Sequence, residues 1–390
     1  MKFAQRLERL PPYLFNELNA IKLKKRQEGI DIIDLGMGNP DGSTPQFIID
    51  KLKQTIEDPK THRYSRSKGI PGILKAIARK YERDFGVKID PENEAVATIG
   101  SKEGLSHLCL AVLNEGDVVL VPNPSYPIHI YGVTSSGANV IPIPLSEKDN
   151  FVPDLSLITR EVWPKPKMLI LNFPSNPTTA VVDLNYLKEV VAYAKKKEMI
   201  IVHDMAYSDI VFDGTEVPSI LQVPGAKDIA VEFFTMSKSY NMAGWRVGFC
   251  VGNTELCKAL AKLKSFYDYG MFTPIQVAAI AALDSPKSVT QEIAEIYRKR
   301  RDVLVDGLNS IGWNVKKPRA SMFTWAPIPE KYRDMGSIQF SKMLIDKAEV
   351  VTSPGAAFGQ YGEGYLRISM VENEQRIKQA IRNIKKMMEK

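Results

Sequence analysis

The sequence predicts an α/β protein, with a large domain on a mostly parallel, seven-stranded sheet followed by a smaller α+β domain. Three observations carry this. Between residues 95 and 251, short apolar runs alternate with amphipathic stretches of helical period, the pattern of strands joined by covering helices. After Asp284-Ser285-Pro286 that alternation gives way to a long charged helix, short strands and a lysine-rich terminal helix. No Gly/Ser-rich linker, internal repeat or low-complexity segment cuts the chain.

The elements follow in order. Residues 1–45 fit neither pattern and are assigned to an N-terminal arm and part of the small domain; residues 46–284 form the large domain and residues 285–390 the small one. Strands are expected at 95–99, 117–121, 140–143, 167–172, 199–203, 230–235 and 246–251, with helices at 104–113, 126–136 and 184–196 between them. Each parallel crossover needs such a helix to cover the sheet. In the last region a helix is expected over 289–307, strands near 313–315 and 322–325, and a helix from Glu374.

The composition, 44% hydrophobic and 25% charged over 390 residues, is that of a chain that folds throughout. Its formal net charge of +7 is spread over runs such as Lys195-Lys196-Lys197 and Arg298-Lys299-Arg300-Arg301. These read as solvated helix faces, since no aromatic platform or zinc spacing accompanies them, and nucleic acid is not an expected partner. Cys109, Cys250 and Cys257 form no C-x-x-C pair, which argues against a disulfide framework or zinc and for a reducing cytoplasm. The first nine residues mix charge with apolar groups, unlike the apolar core of a signal peptide. No stretch approaches the roughly eighteen apolar residues that span a bilayer, so no membrane association is expected. His62, His107, His129 and His203 show no ligand spacing, and no metal is expected. Gly36-Met37-Gly38 lacks the third glycine and the helix of a dinucleotide fingerprint.

In an open parallel sheet, ligands bind beyond the carboxyl ends of the strands. Three such ends carry polar groups: Asn176, Asp204 and Lys238. Singly, each has an ordinary reading as turn, helix cap or solvated lysine; together they would converge on one rim. Around Lys238 stand Thr235, Ser237 and, eight residues on, Arg246. That set offers an amine for an aldehyde and neutral and cationic donors for a phosphate. A second phosphate element is Gly100-Ser101-Lys102-Glu103-Gly104, a strand-to-helix turn whose amides and helix dipole suit an anion.

Ser237-Lys238 with Gly244-Trp245-Arg246-Val247-Gly248 resembles the pyridoxal-5′-phosphate (PLP) attachment motif of class I/II aminotransferases. Asn176-Pro177-Thr178 and Asp204-Met205-Ala206-Tyr207 resemble that family's other signatures, and the likeness runs from Gly36 to Ser369. Residues 122–129 and 232–242 are most similar to the bacterial alanine (glutamate–pyruvate) transaminases, neighbours of the LL-diaminopimelate and aspartate aminotransferases. The resemblance implies the fold-type I architecture of PLP-dependent transferases and a homodimer with shared active sites. It implies that Lys238 carries PLP as a Schiff base and shuttles a proton, that Asp204 pairs with the pyridine nitrogen, and that Tyr207 and Asn176 donate to the phenolic oxygen. Tyr126 would stack on the ring, with His129 buttressing Asp204. Ser101, Lys102, Thr235, Ser237 and Arg246 would hold the phosphate, joined by Tyr64 of the other subunit. Arg367, with the backbone of Gly38 and with Tyr126 and Asn176 nearby, would receive the substrate carboxylate.

Thr235 stands where the family often has serine. Aspartate aminotransferases of the family also place an arginine ahead of the segment matching residues 267–274, and none is found there. The expected reaction is therefore alanine with 2-oxoglutarate, giving pyruvate and glutamate. Lys102 has two readings, as cation for the distal carboxylate of glutamate or as a surface lysine. Aspartate or LL-diaminopimelate as substrate, and a PLP-dependent β-elimination or synthase reaction, are the alternatives; a PLP-binding transcription regulator would need a helix-turn-helix, and no candidate is seen.

Overall fold

The structure, a computed structural model, describes residues 3–11, 14–156 and 165–389; Met1 and Lys2 of the N-terminal reading lie outside them. The apolar runs of the central region become β2 (Ala95–Thr98), β3 (Val118–Asn123), β4 (Asn139–Pro144), β5 (Met168–Asn172), β6 (Ile200–Asp204), β7 (Ala230–Thr235) and β8 (Gly248–Gly252), after a short β1 (Ile33–Asp34). They form one sheet in the order β2-β8-β7-β6-β5-β3-β4. Both faces are covered, which is why these strands read as unbroken apolar runs. Along β5, Leu169 and Leu171 enter one core while Met168 and Ile170 enter the other; along β7, Ala230 and Phe234 alternate in the same way with Val231 and Phe233.

The seventh expected strand differs from its reading. It runs antiparallel to both neighbours, β2 and β7, and begins at Gly248 rather than at 246. Arg246 stands outside it, in the left-handed region at φ 56°, at the end of a tight turn over Ala243–Trp245. This reversal positions the site, because the start of β8 lies beside the carboxyl ends of both flanking strands. Gly248 pairs with Thr98 on one side and Thr235 on the other. A Cβ at Gly248 would come within 2.6 Å of the Ser101 amide nitrogen, so only glycine lets the two turns approach.

The expected helix at 104–113 begins three residues earlier and spans Ser101–Val112, with Gly100 at φ 80° making the turn from β2. Those at 126–136 and 184–196 appear as Pro127–Ser135 and Leu184–Lys197.

The remaining strands are β9 (Phe323–Pro327), β10 (Val350–Val351), β11 (Ser353–Pro354) and β12 (Tyr365–Ser369). Here β12 lies antiparallel between β11 and β9, and β1 runs parallel to β10 through Ile33↔Val350 and Asp34↔Val351. Helices Ser288–Ser310, Gly336–Ala348 and Glu374–Met388 accompany them, around a core that includes Tyr297, Trp313, Phe340, Ile368 and Ile377. Residues 313–315 are not a strand: both backbone groups of Val315 bond to the Asn309 side chain, at 2.7 and 3.2 Å, leaving none for a ladder. The helices Gln46–Ile56, Pro71–Phe85, Thr254–Tyr267 and Thr273–Leu283 complete the covering of the main sheet. Among the described residues no helix is long and apolar enough to cross a membrane, and the three cysteines are buried without a disulfide.

Candidate active site

The carboxyl ends of β5, β6 and β7 open into a cavity of about 520 Å³, closed on the other side by β9 and β12. Of the residues singled out in the sequence, Gly38, Ser101, Lys102, Tyr126, Asn176, Asp204, Tyr207, Thr235, Ser237, Lys238, Arg246 and Arg367 all line it. Tyr64 does not. It is 86% exposed and packs its ring on Tyr269, 4.6 Å between centroids.

Lys238 lies in the short helix that caps β7, and its amine donates to the Gly38 carbonyl at 2.7 Å. Burial first, then the positive charges of Arg367 and Arg246, bring its pKa down to about 8. Asp204 is buried at the end of β6. A carboxylate only accepts, so His129 presents an Nε2–H to Asp204 Oδ2 at 2.9 Å, and its Nδ1 meets the Ser125 hydroxyl at 2.8 Å. Asp204 Oδ1 accepts in turn from the Ala206 amide at 3.2 Å. The carboxylate is thereby fixed facing the cavity, with the Tyr126 ring 5.9 Å from the His129 imidazole.

Asn176 links two sides of the cavity. Its Oδ1 accepts from Arg367 Nη1 at 2.9 Å and its Nδ2 donates to the Tyr207 hydroxyl at 3.3 Å. Burial pushes the Tyr207 phenol well above its ordinary pKa, so it keeps its proton. The Arg367 guanidinium also donates to the Gly36 carbonyl at 2.8 Å and lies between the rings of Phe323 and Phe358, at 4.2 and 4.7 Å. That sandwich fixes its plane.

Opposite stands an anion cradle. The free amides at the start of helix Ser101–Val112 face Thr235, Ser237 and Arg246, with Thr235 Oγ1 donating to Ser237 Oγ at 2.9 Å. A Cβ at Gly100 would sit 2.3 Å from Arg246 Nη2, so the turn and the guanidinium converge on space a side chain would fill. Lys102 is exposed on the rim. A lysine amine poised near neutrality, a buried carboxylate and a phosphate-sized cradle form a donor set that fits PLP.

Residues 30–384 match the family described as aminotransferase class I and II. The chain belongs to that family. Members of the family are PLP-dependent, and this aminotransferase is a transaminase of fold-type I architecture. It is 57% identical to a glutamate–pyruvate aminotransferase, AlaC, of Escherichia coli, over 98% of this chain and 93% of that one. It is 42% identical to an LL-diaminopimelate aminotransferase of Moorella thermoacetica, over 100% and 99% of the two chains. Among solved structures, substrate-bound BacF of Bacillus subtilis superposes with a TM-score of 0.95 at 35% identity, covering 99% of the aminotransferase and 98% of BacF.

Several groups in the aminotransferase, at the cavity and behind it, escaped sequence reading. Phe323 and Phe358 are ordinary apolar residues in sequence, and only their packing on Arg367 distinguishes them. Glu232, wholly buried on β7, receives Tyr81, Ser219, the Ile220 amide and His203 at 2.7 to 3.0 Å, behind the strands that end at Asp204 and Thr235. His107 meets Glu103 at 2.6 Å, one helical turn away on helix Ser101–Val112, which begins earlier than expected and so includes Glu103, and Asp268 is close by. The Lys264 ammonium lies against both carboxylates at 3.0 and 2.9 Å, supplying the positive charge that the pair needs.

Proposed function

We propose that this aminotransferase moves an amino group between alanine and 2-oxoglutarate, giving pyruvate and glutamate. The observation that carries the proposal is the cavity's cation set: Lys238, Lys102, Arg246 and Arg367 line it, and no further arginine does so among the described residues. With Arg246 given to the phosphate and Arg367 to the α-carboxylate, no fixed fork is left for a second carboxylate. One mobile rim lysine, Lys102, can serve glutamate and yet leave room for the methyl group of alanine. The 57% identity to a protein named glutamate–pyruvate aminotransferase supports the same pairing. The 42% identity to one named LL-diaminopimelate aminotransferase keeps that substrate, or aspartate, as the second reading; β-elimination or synthase chemistry is a further alternative.

PLP, when bound, supplies an aldehyde that captures the amino group and a ring that accepts electrons. The chain's own residues do the rest. Lys238 holds the cofactor and afterwards moves the proton at the substrate Cα through Nζ. Asp204, oriented by His129 and Ser125, keeps a negative charge against the ring nitrogen. Tyr207 and Asn176 would present O–H and N–H to the phenolic oxygen, while Tyr126 would pack against the ring and exclude water. The Ser101 amide, Thr235, Ser237 and Arg246 would hold the phosphate, leaving Lys102 for the distal carboxylate of glutamate, and Arg367 with Gly38 would orient the substrate carboxylate.

A homodimer with shared sites belongs to the proposal. It is supported by Tyr64 standing 86% exposed against Tyr269, itself 63% exposed, free to enter a partner's phosphate site. The division into residues 1–45, 46–284 and 285–390 and a cytoplasmic location are proposed as well, the latter supported by three unpaired cysteines.

Substrate panels, variant kinetics and the pH dependence of cofactor capture test these assignments. A panel of amino donors against pyruvate, oxaloacetate and 2-oxoglutarate should show alanine and glutamate well above aspartate and LL-diaminopimelate. Lys102→Ala should lower kcat/KM for glutamate about tenfold, the effect of one lost charge-assisted hydrogen bond, and that for alanine far less; equal losses would assign Lys102 to the phosphate. The Lys238 amine reacts only when unprotonated, so capture of PLP by the apoprotein should speed up as pH rises through about 8. In Arg246→Met the midpoint should move upward, because one of the charges that depresses it is gone; stopped-flow absorbance reads both.

A further inference from the structure

The loop 36–41 crosses the carboxylate end of the cavity and is held at three points. Its Gly36 carbonyl accepts from Arg367 Nη2 at 2.8 Å, from Ser353 Oγ at 2.9 Å and from Ser369 Oγ at 3.2 Å. Its Gly38 carbonyl accepts from Lys238 at 2.7 Å. At the far end, Asp41 receives Arg300 through both guanidinium arms, at 2.6 and 2.8 Å. Arg300 is only 7% exposed, and its Nη1 also donates at 3.3 Å to the carbonyl of Met370, the residue that follows β12. The same strand carries Arg367, so Arg300 ties the loop to the element that bears the guanidinium clamp.

Two of these anchors have other work in the reaction proposed above. Lys238 would give up Gly38 to hold the cofactor, and Arg367 would share its donors with a carboxylate. The Ser353 and Ser369 hydroxyls hold the Gly36 end whatever occupies the site, and at the far end the Asp41–Arg300 contact does the same. The fit beneath the loop is close: a Cβ at Gly38 would lie 2.4 Å from the Phe323 ring, the ring that packs on Arg367.

We infer that the Asp41–Arg300 pair is a positioning latch, which keeps loop 36–40 seated over the carboxylate end of the cavity and so sets affinity for substrate while leaving the chemical step alone. This rests on Arg367 being the carboxylate clamp. If a loosened loop is seated only a tenth of the time, apparent affinity falls about tenfold.

The test is Asp41→Asn in the holoenzyme, which keeps the size of the side chain and removes its charge. KM for amino acids and 2-oxo acids should rise about tenfold with kcat within threefold. The dissociation constant of 2-methylalanine, which has no α-hydrogen to lose, should rise equally in a spectroscopic titration. Amide hydrogen exchange should accelerate at residues 36–41 and stay unchanged in β5 to β7, and Asp41→Glu should recover part of each effect. Unchanged KM and affinity would overturn the latch, and so would exchange that accelerates throughout the chain, since the pair would then serve general stability. Arg367→Lys is measured alongside: if it too leaves 2-methylalanine binding unaltered, the carboxylate assignment itself fails, whereas weakened binding in Arg367→Lys with normal binding in Asp41→Asn sinks the latch alone.

Discussion

Lys238→Ala should reduce turnover by about 10⁴-fold or more, since it removes both the nucleophile and the proton carrier, and general acid–base catalysis alone contributes about 10²–10⁴. The effect should be confined to the reaction. Lys238 makes one hydrogen bond, to the Gly38 carbonyl, and carries a charge that burial and two arginines disfavour, so its loss removes a repulsion together with that bond. Thermal unfolding of the apoprotein should therefore change little. Borohydride reduction of the wild-type holoenzyme should fix the cofactor on the peptide containing Lys238 and on no other, and the variant should take up no label. Lys238→Arg separates charge from chemistry: it restores a cation to the cavity but no reactive amine, and should be as inactive as alanine. Retained turnover in either variant, or a label on a different lysine, would remove the foundation of the proposed mechanism.

How far the site could be read from sequence depends on how each residue is positioned. Asn176, Asp204 and Lys238 were legible because each closes an apolar run, and the geometry of parallel strands then gathers their ends without further information. Arg246 needed more, for its place beside Ser101 and Ser237 depends on β8 reversing direction, and period and hydrophobicity do not encode strand direction. The phosphate role expected of Arg246 rests on the motif around it, while the expected strand wrongly included it. Arg367 was read from resemblance, and its setting between Phe323 and Phe358 could not be, since both rings lie in short elements whose apolar residues look like any core. The misread strand at 313–315 has a local cause, a side-chain amide that satisfies the backbone in place of a neighbouring strand. Tyr64 is the remaining case: among the described residues its ring packs on Tyr269, and the place at a phosphate that the resemblance implies for it would need a second chain.

The second large effect belongs to Arg367→Ala. Every amino acid and every 2-oxo acid carries the carboxylate that Arg367 would bind, so kcat/KM should fall for all of them alike, by about 10²–10³-fold, given that losing one partner of a buried charge pair costs about 3–4 kcal/mol. Part of that loss comes from the groups left behind. Asn176 Oδ1 loses its donor and the Gly36 carbonyl loses one of three, and Asn176 can turn away from Tyr207, so the hydrogen bond tuning the phenolic oxygen should weaken together with carboxylate binding. The variant's spectrum should thus change its pH response even without substrate, a signature that loss of substrate contact alone would not produce. Arg367→Lys should recover charge and not geometry, because a point ammonium cannot span two oxygens or stay flat between two rings, and should regain about tenfold at most. Steady-state kinetics over at least alanine, glutamate, pyruvate and 2-oxoglutarate decide the matter: a loss confined to one substrate would place Arg367 against a side chain, and the common carboxylate would have to be held elsewhere in the cavity.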